Sequence, residues 1–378
     1  MTVFSKCKTF LHSLPTGFTL ALFAGSTQAF VYQSNPNPLK DDVLTYQVDI
    51  PGLAPSGVSW NTAFDQAVED WVAVTGLDIR VIRETSNPCE QFNHNTGRGY
   101  VGFVMDACDG YWSGFFAHHP AFATVVSNRE QEVLSSNILF DGNVKWDIYS
   151  GELYWERSSE LGENDQPAGE WIYDFRRTAK HEIGHALGLG HGYFPHSIMS
   201  YADDTTNSDS LSIDDICGVN IAHGNPEGCS LLLSNPATFS GETTTAMFVG
   251  GASNDRGVSF NNSFRANDTI DIMATVVIEP EHFDKAGRML TVIQFSDGTA
   301  LMKTDIGFAP WDGSVEALRS TESKPLKYSN EIYVLKDFNL KENGVSNTEV
   351  SVYVGYSLDE QPDEVYFSGS PIFFAIEP

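Results

Sequence analysis

Four of the chain's ten histidines, His181, His185, His191 and His196, fall within the single stretch HEIGHALGLGHGYFPHSIMSY. On a helix, His181 and His185 are four residues apart and leave the same face. Zinc accepts such imidazoles in a tetrahedral set, and two ligands on one helix require a third from elsewhere. Gly188 supplies the means, because glycine tolerates the left-handed backbone that ends a helix and reverses the chain. His191 is then carried back towards the metal, and water takes the fourth position, the pattern of a catalytic site. Glu182 follows the first histidine, so its carboxylate lies beside the metal rather than on it. There it can take a proton from water and pass it to a leaving amine. The chemistry these residues offer is peptide-bond hydrolysis, with His181, His185 and His191 as ligands and Glu182 as general base. His196 sits too close to Met199 to be expected as a ligand.

These side chains need a scaffold. Trp60, Phe64, Ala67, Val68, Trp71 and Val74 recur on one face of a helix. VLTYQVDI (43–50), LDIRVIRE (77–84), YVGFVMDA (100–107), ATVVSN and SNILFDG (135–142) read as strands of a sheet packed on it. Helical periodicity returns from Trp171 to about Leu189. A third helix is expected in LSIDDICGVNIAHG (211–224), with Ser212 as its cap and two aspartates in its first turn. After Cys229 the character changes. TIDIMATVVI, MLTVIQF, EIYVLKDF, EVSVYVGYSL and IFFAIE alternate between turn residues, the signature of a β-sandwich.

The 378 residues exceed one small domain, and the composition, 41% hydrophobic and 19% charged, is that of a folded chain. A formal charge of -28 disfavours nucleic acid and anionic membranes as partners. Lys6 and Lys8 in an acid-free leader, the apolar run FTLALFAG (18–25) and Thr27-Gln28-Ala29 read as a signal peptide. The apolar run is too short for a transmembrane anchor, and the expected location is extracellular. Beyond the leader stand Cys89, Cys108, Cys217 and Cys229, an even count that favours disulfides in an exported chain. Three pairings are open, and proximity along the chain favours Cys89–Cys108 with Cys217–Cys229.

HEIGHALGLGH resembles the extended zinc motif of the metzincin metallopeptidases, and SIMSY resembles their Met-turn, which implies that Met199 lies beneath the zinc. Within the metzincins, FRRTAKHEIGHALGLGH, LSIDDICGVNIAHG, SSNILFDGNVKWD and DGYWSGFFAHH are similar to segments of the matrixins, over about residues 40–225. The resemblance implies an α+β catalytic domain, a twisted sheet plus three main helices. It also implies that an extended substrate pairs with an edge strand at Gly114, Phe115, Phe116 and Ala117. One of Asp214 and Asp215 would anchor the Met-turn region.

The departures are specific. Gly192 stands where matrixins carry serine. Tyr201 lies two residues beyond Met199, as in astacins and serralysins, where a tyrosine reaches the zinc, so Tyr201 is a candidate switchable ligand or oxyanion donor. Asp109 and His118 fall on two positions of the matrixin structural zinc, but Ala107 and Leu139 occupy the others, which leaves one zinc expected. Asp141 matches a matrixin calcium ligand, and with Asp109 it is the candidate calcium site. No thiolate-bearing propeptide segment precedes the first strand, so latency of that kind is not expected.

The sequence thus predicts residues 1–29 as signal peptide, 30–232 as a matrixin-like zinc endopeptidase domain and 233–378 as a β-sandwich accessory domain for substrate or surface attachment. The rival is a zinc-containing adhesion protein without catalysis, which would have no need of Glu182.

Overall fold

The computed structural model describes residues 31–32, 38–85, 87–89, 97–106, 108, 120–128, 132–161, 167–192, 196–200 and 209–378. The expected leader, Asp109, Gly114, Phe115, Phe116, Ala117, His118 and Tyr201 lie outside the described residues. Two compact units emerge, one of Tyr32–Cys229 and one containing Ser230–Pro378.

In the first unit the short strand β1 (Val31–Tyr32) is followed by β2 (Val43–Gln47), helix α1 (Trp60–Thr75), β3 (Asp78–Ile82) and β4 (Gly99–Val104). Then come β5 (Ala121–Ser127) and β6 (Val133–Asp141). Five of these strands form a sheet in the order β3-β2-β4-β6-β5, parallel except at β5, which pairs antiparallel with β6 and forms an edge. Helix α1 buries Ala63, Phe64, Ala67, Val68 and Trp71, the face its spacing predicts, and ends where Gly76 turns to φ 70°. Its Trp71 indole donates to the Lys180 carbonyl at 3.0 Å, tying it to the helix that bears the histidines.

That helix starts later than the periodicity predicts. Residues 171–174 belong to a strand, β9 (Pro167–Asp174), in a three-stranded sheet with β7 (Lys145–Asp147) and β8 (Tyr154–Leu161). The reason is local. Trp171 is exposed and Ile172 buried, the alternation of a strand, and Asp174 caps α2 (Phe175–Ala186) by accepting from the Arg176 and Arg177 amides. Phe175 then packs into an aromatic cluster with Trp60, Phe103, Phe140 and Trp146. After α2 come the two-residue strand β10 (Leu189–Gly190), paired with β1, and α3 (Ile213–Ala222). Ser212 and Asp215 form a reciprocal capping box at the start of α3.

The second unit is all β among its longer elements. One sheet runs Leu232–Leu233, Met247–Ser253, Thr269–Val277, Ser329–Asn339. A nine-stranded sheet is built around Ala286–Phe295 and Thr348–Leu358. Alternate residues from both, among them Phe248, Ile272, Val276, Ile293, Val352 and Val354, join one buried apolar cluster.

The disulfides pair Cys89 with Cys108 and Cys217 with Cys229, with Cα–Cα distances of 4.8 and 4.4 Å. Among the described residues, no helix is long and apolar enough to cross a membrane.

Candidate metal centre and active site

Helix α2 presents His181 and His185 on one face, and Gly188, at φ 99°, reverses the chain after the helix. The three imidazoles then converge. Nε2 of His191 lies 2.9 Å from Nε2 of His181 and 3.1 Å from Nε2 of His185. On the far side of two rings, Nδ1–H donates to a backbone carbonyl, His181 to Ile198 at 2.6 Å and His185 to Leu189 at 2.8 Å. Those bonds fix the tautomer and turn an Nε2 lone pair of each ring towards the common centre. Three converging ring nitrogens with at most one proton to share repel one another unless a cation sits among them. The donor set therefore fits a metal ion, and His181, His185 and His191 form one of two groups among the described residues that could hold one.

Glu182 is buried, and its Oε2 has no hydrogen-bond partner. Burial raises its pKa to about 8, against the smaller opposing effect of the Ala123 backbone on edge strand β5. A carboxyl so placed, next to His181 in the chain, can hold or release a proton near neutral pH.

The turn beneath the histidines is anchored from α3. Asp215 is fully buried and accepts from Ser197 Oγ at 2.5 Å, from the Ile198 amide at 2.9 Å and from the Ser212 amide and hydroxyl, each at 2.7 Å. Burial still pushes its pKa up against those bonds. Because Ile198 also carries the carbonyl that holds His181, Asp215 reaches the metal centre through one residue. Of the two aspartates flagged by sequence, Asp215 takes the anchoring place, while Asp214 is buried near Tyr32. Met199, buried, donates its amide to Ser197 Oγ at 3.0 Å and accepts at its carbonyl from the Gly192 amide at 3.0 Å.

One residue escaped the sequence reading. A Cβ on Gly184 would lie 2.4 Å from Met199 Sδ and 3.2 Å from the Trp71 ring. Gly184 is thus what lets the methionine pack against α2 between the two histidine positions. The available signal was a glycine in mid-helix, which costs about 1 kcal/mol relative to alanine and so asks for a packing reason.

Other expected residues stay apart from this centre. Asp141 Oδ1 accepts from the amide and the side chain of Asn143, at 2.8 and 2.7 Å, closing a turn. Asp147, six residues on and not one of the candidate calcium pair, accepts from the Ser56 and Ile148 amides. Both carboxylates have structural employment, and nothing supports calcium at Asp141. His196 is not in the convergent group.

Comparison with known proteins gives an independent reading. Residues 39–224 match the family model of the matrixins, peptidase family M10. Over 78 residues, 20% of this chain, the sequence is 37% identical to matrilysin of Rattus norvegicus. The chain spans about a quarter (26%) of the length of that relative. With the three-histidine centre and the turn that Asp215 anchors, this shows that residues 39–224 form a matrixin-like metzincin domain.

Proposed function

We propose that the chain is a secreted zinc endopeptidase that cleaves peptide bonds in proteins, with a C-terminal β-sandwich as accessory domain for substrate or surface attachment. The observation that carries this reading is the convergence of three Nε2 atoms, two of them oriented by backbone carbonyls, next to a buried carboxyl with an unpartnered oxygen. His181, His185 and His191 would hold the zinc, and Met199 floors the site. When bound, zinc polarises the scissile carbonyl and makes water acidic enough to attack at neutral pH.

Glu182 takes the proton from the attacking water and delivers it to the leaving amine nitrogen. Its burial keeps the carboxyl away from bulk water, so the proton it accepts stays available for the leaving group. An extended substrate would pair along a sheet edge, the role the resemblance gives to Gly114, Phe115, Phe116 and Ala117; among the described residues the sheet ends at β5. Tyr201 is assigned as the oxyanion donor or switchable fifth ligand.

The test is casein hydrolysis by zinc-loaded wild type and zinc-loaded Glu182→Ala. The expected result is cleavage by the wild type and a loss of about 10²–10⁴-fold in the variant with its zinc retained. Equal rates in the two would remove Glu182 from the mechanism, and no cleavage by either with zinc bound would favour a binding protein.

A further inference from the structure

We propose that Glu279, Glu281 and His282 form a second metal site, in the β unit, for a divalent transition-metal ion such as Zn2+. Glu281 and His282 sit on one turn, Pro280–His282, and Glu279 immediately precedes it, after the strand Thr269–Val277. Each offers a ligand atom, and these atoms all lie within 4.8 Å of one another.

The imidazole carries the argument. His282 is 5% exposed, yet its Nε2 has as its nearest carboxylate oxygen Glu279 Oε2, at 3.8 Å, too far for a hydrogen bond. Its Nδ1 meets Tyr356 Oη at 2.8 Å, and the same phenol oxygen accepts from the Glu279 amide at 3.3 Å. With Nδ1–H donating to the phenol, the Nε2 lone pair faces a carboxylate, which repels it. With the proton on Nε2 instead, the distance is too long to bond. A cation between the two atoms relieves the misfit of either neutral tautomer, taking the place that a second ring proton would otherwise have to fill. Two donors each about 2.0–2.2 Å from one ion lie roughly 3–4.2 Å apart, the range in which 3.8 Å falls.

The surroundings hold the ligands as metal sites do. Glu279 Oε1 is occupied by Thr244 Oγ1 at 2.7 Å and the Thr245 amide at 3.0 Å, which leaves Oε2 for the ion. Tyr356 holds the orientation of the imidazole ring through Nδ1, as the Ile198 and Leu189 carbonyls hold His181 and His185, although a phenol, unlike a carbonyl, does not fix the tautomer. The field is negative as well. Behind the larger effect of burial, Glu279, Glu364, Glu281 and Glu242 all hold the neighbouring Tyr366 phenol above its ordinary pKa. The nearby Lys285 is paired to Glu360 at 2.8 Å. Glu281 is exposed, so its carboxylate can swing in to close the set. An imidazole among the ligands favours zinc and its neighbours over calcium, which prefers oxygen alone.

The experiment is zinc stoichiometry on the full chain, stripped with chelator and dialysed against buffered Zn2+. Wild type should bind two equivalents and Glu281→Gln one, with the second-site affinity weakened at least about tenfold. His185→Ala should retain the β-unit equivalent, and the double variant should bind none. Millimolar Ca2+ should leave the second equivalent in place. Melting curves in chelator confirm that Glu281→Gln folds as wild type does. One equivalent in wild type, or two in Glu281→Gln at unchanged affinity, overturns the site; displacement by Ca2+ overturns the choice of metal.

Discussion

The two units bury different things. Around α2 the matrixin-like unit takes Asp174, Arg177, Lys180, Glu182, His185, Asp214 and Asp215 out of water. The β unit buries a continuous apolar cluster, and its buried acidic, basic or imidazole side chains among the described residues are Asp271 and His282. Burying charge is costly unless it is paired. Lys180 is paired with Asp70 at 2.9 Å and Asp215 is saturated with donors, but Glu182 Oε2 is left without a partner. In the first unit, burial tunes chemistry. In the second, it holds the sheets together, and Asp271 and His282 stand out as exceptions to that rule.

The contrast can be broken at its strongest point first. Phe248 is fully buried at the centre of the apolar cluster, and Phe248→Ala should cost about 3–5 kcal/mol of stability. Denaturant unfolding followed in the β unit would measure it, and a loss under about 1 kcal/mol would mean that the cluster relaxes rather than packs. Gly184→Ala should cost less, about 1–3 kcal/mol, because a Cβ there collides with Met199 Sδ. Unlike the phenylalanine change, it should also weaken zinc binding, which competition with a chromogenic chelator would read. Unchanged zinc affinity would detach Met199 from the metal centre.

The smallest effect expected is in pH. His223 caps α3 and meets the Leu187 carbonyl at 3.1 Å, with Nδ1 buried and unpartnered. Burial lowers its pKa from 6.5. The folded state therefore holds the neutral ring, and the stability this contributes is present above pH 6.5 and lost as the pH falls through the lowered value. Melting temperature should drop on acidification below 6.5, and His223→Gln should flatten that part of the profile. An unchanged slope in the variant would assign the acid sensitivity to other groups.

Much of the metal centre was legible because it is local. The i, i+4 spacing of His181 and His185, the glycine that must reverse the chain and the histidine beyond it are properties of one short segment. The face of α1 and the serine cap of α3 were legible for the same reason. Trp171–Asp174 misled, since a short aromatic and β-branched run before a helix fits either periodicity until the neighbouring strands are known. Strands β7 to β9, consecutive in the chain and paired with one another, were missed with it: β7 is three residues long and the β8–β9 pairing carries a register shift, so neither shows a clean alternation.

From the sequence alone follow which residues could bind a metal, where Glu182 stands relative to them, and that the chain changes from mixed to all-β character after Cys229. Packing of distant elements added what no spacing encodes. It selected the disulfide pairing out of three, brought Asp215 under the Ile198 amide 17 residues away, and set Met199 against the bare backbone of Gly184. It also placed Tyr356 on His282 across 74 residues. Side-chain periodicity is fixed by the geometry of one helix or strand, whereas these contacts exist only after distant elements pack, and packing energy is shared among too many residues for a motif to record it.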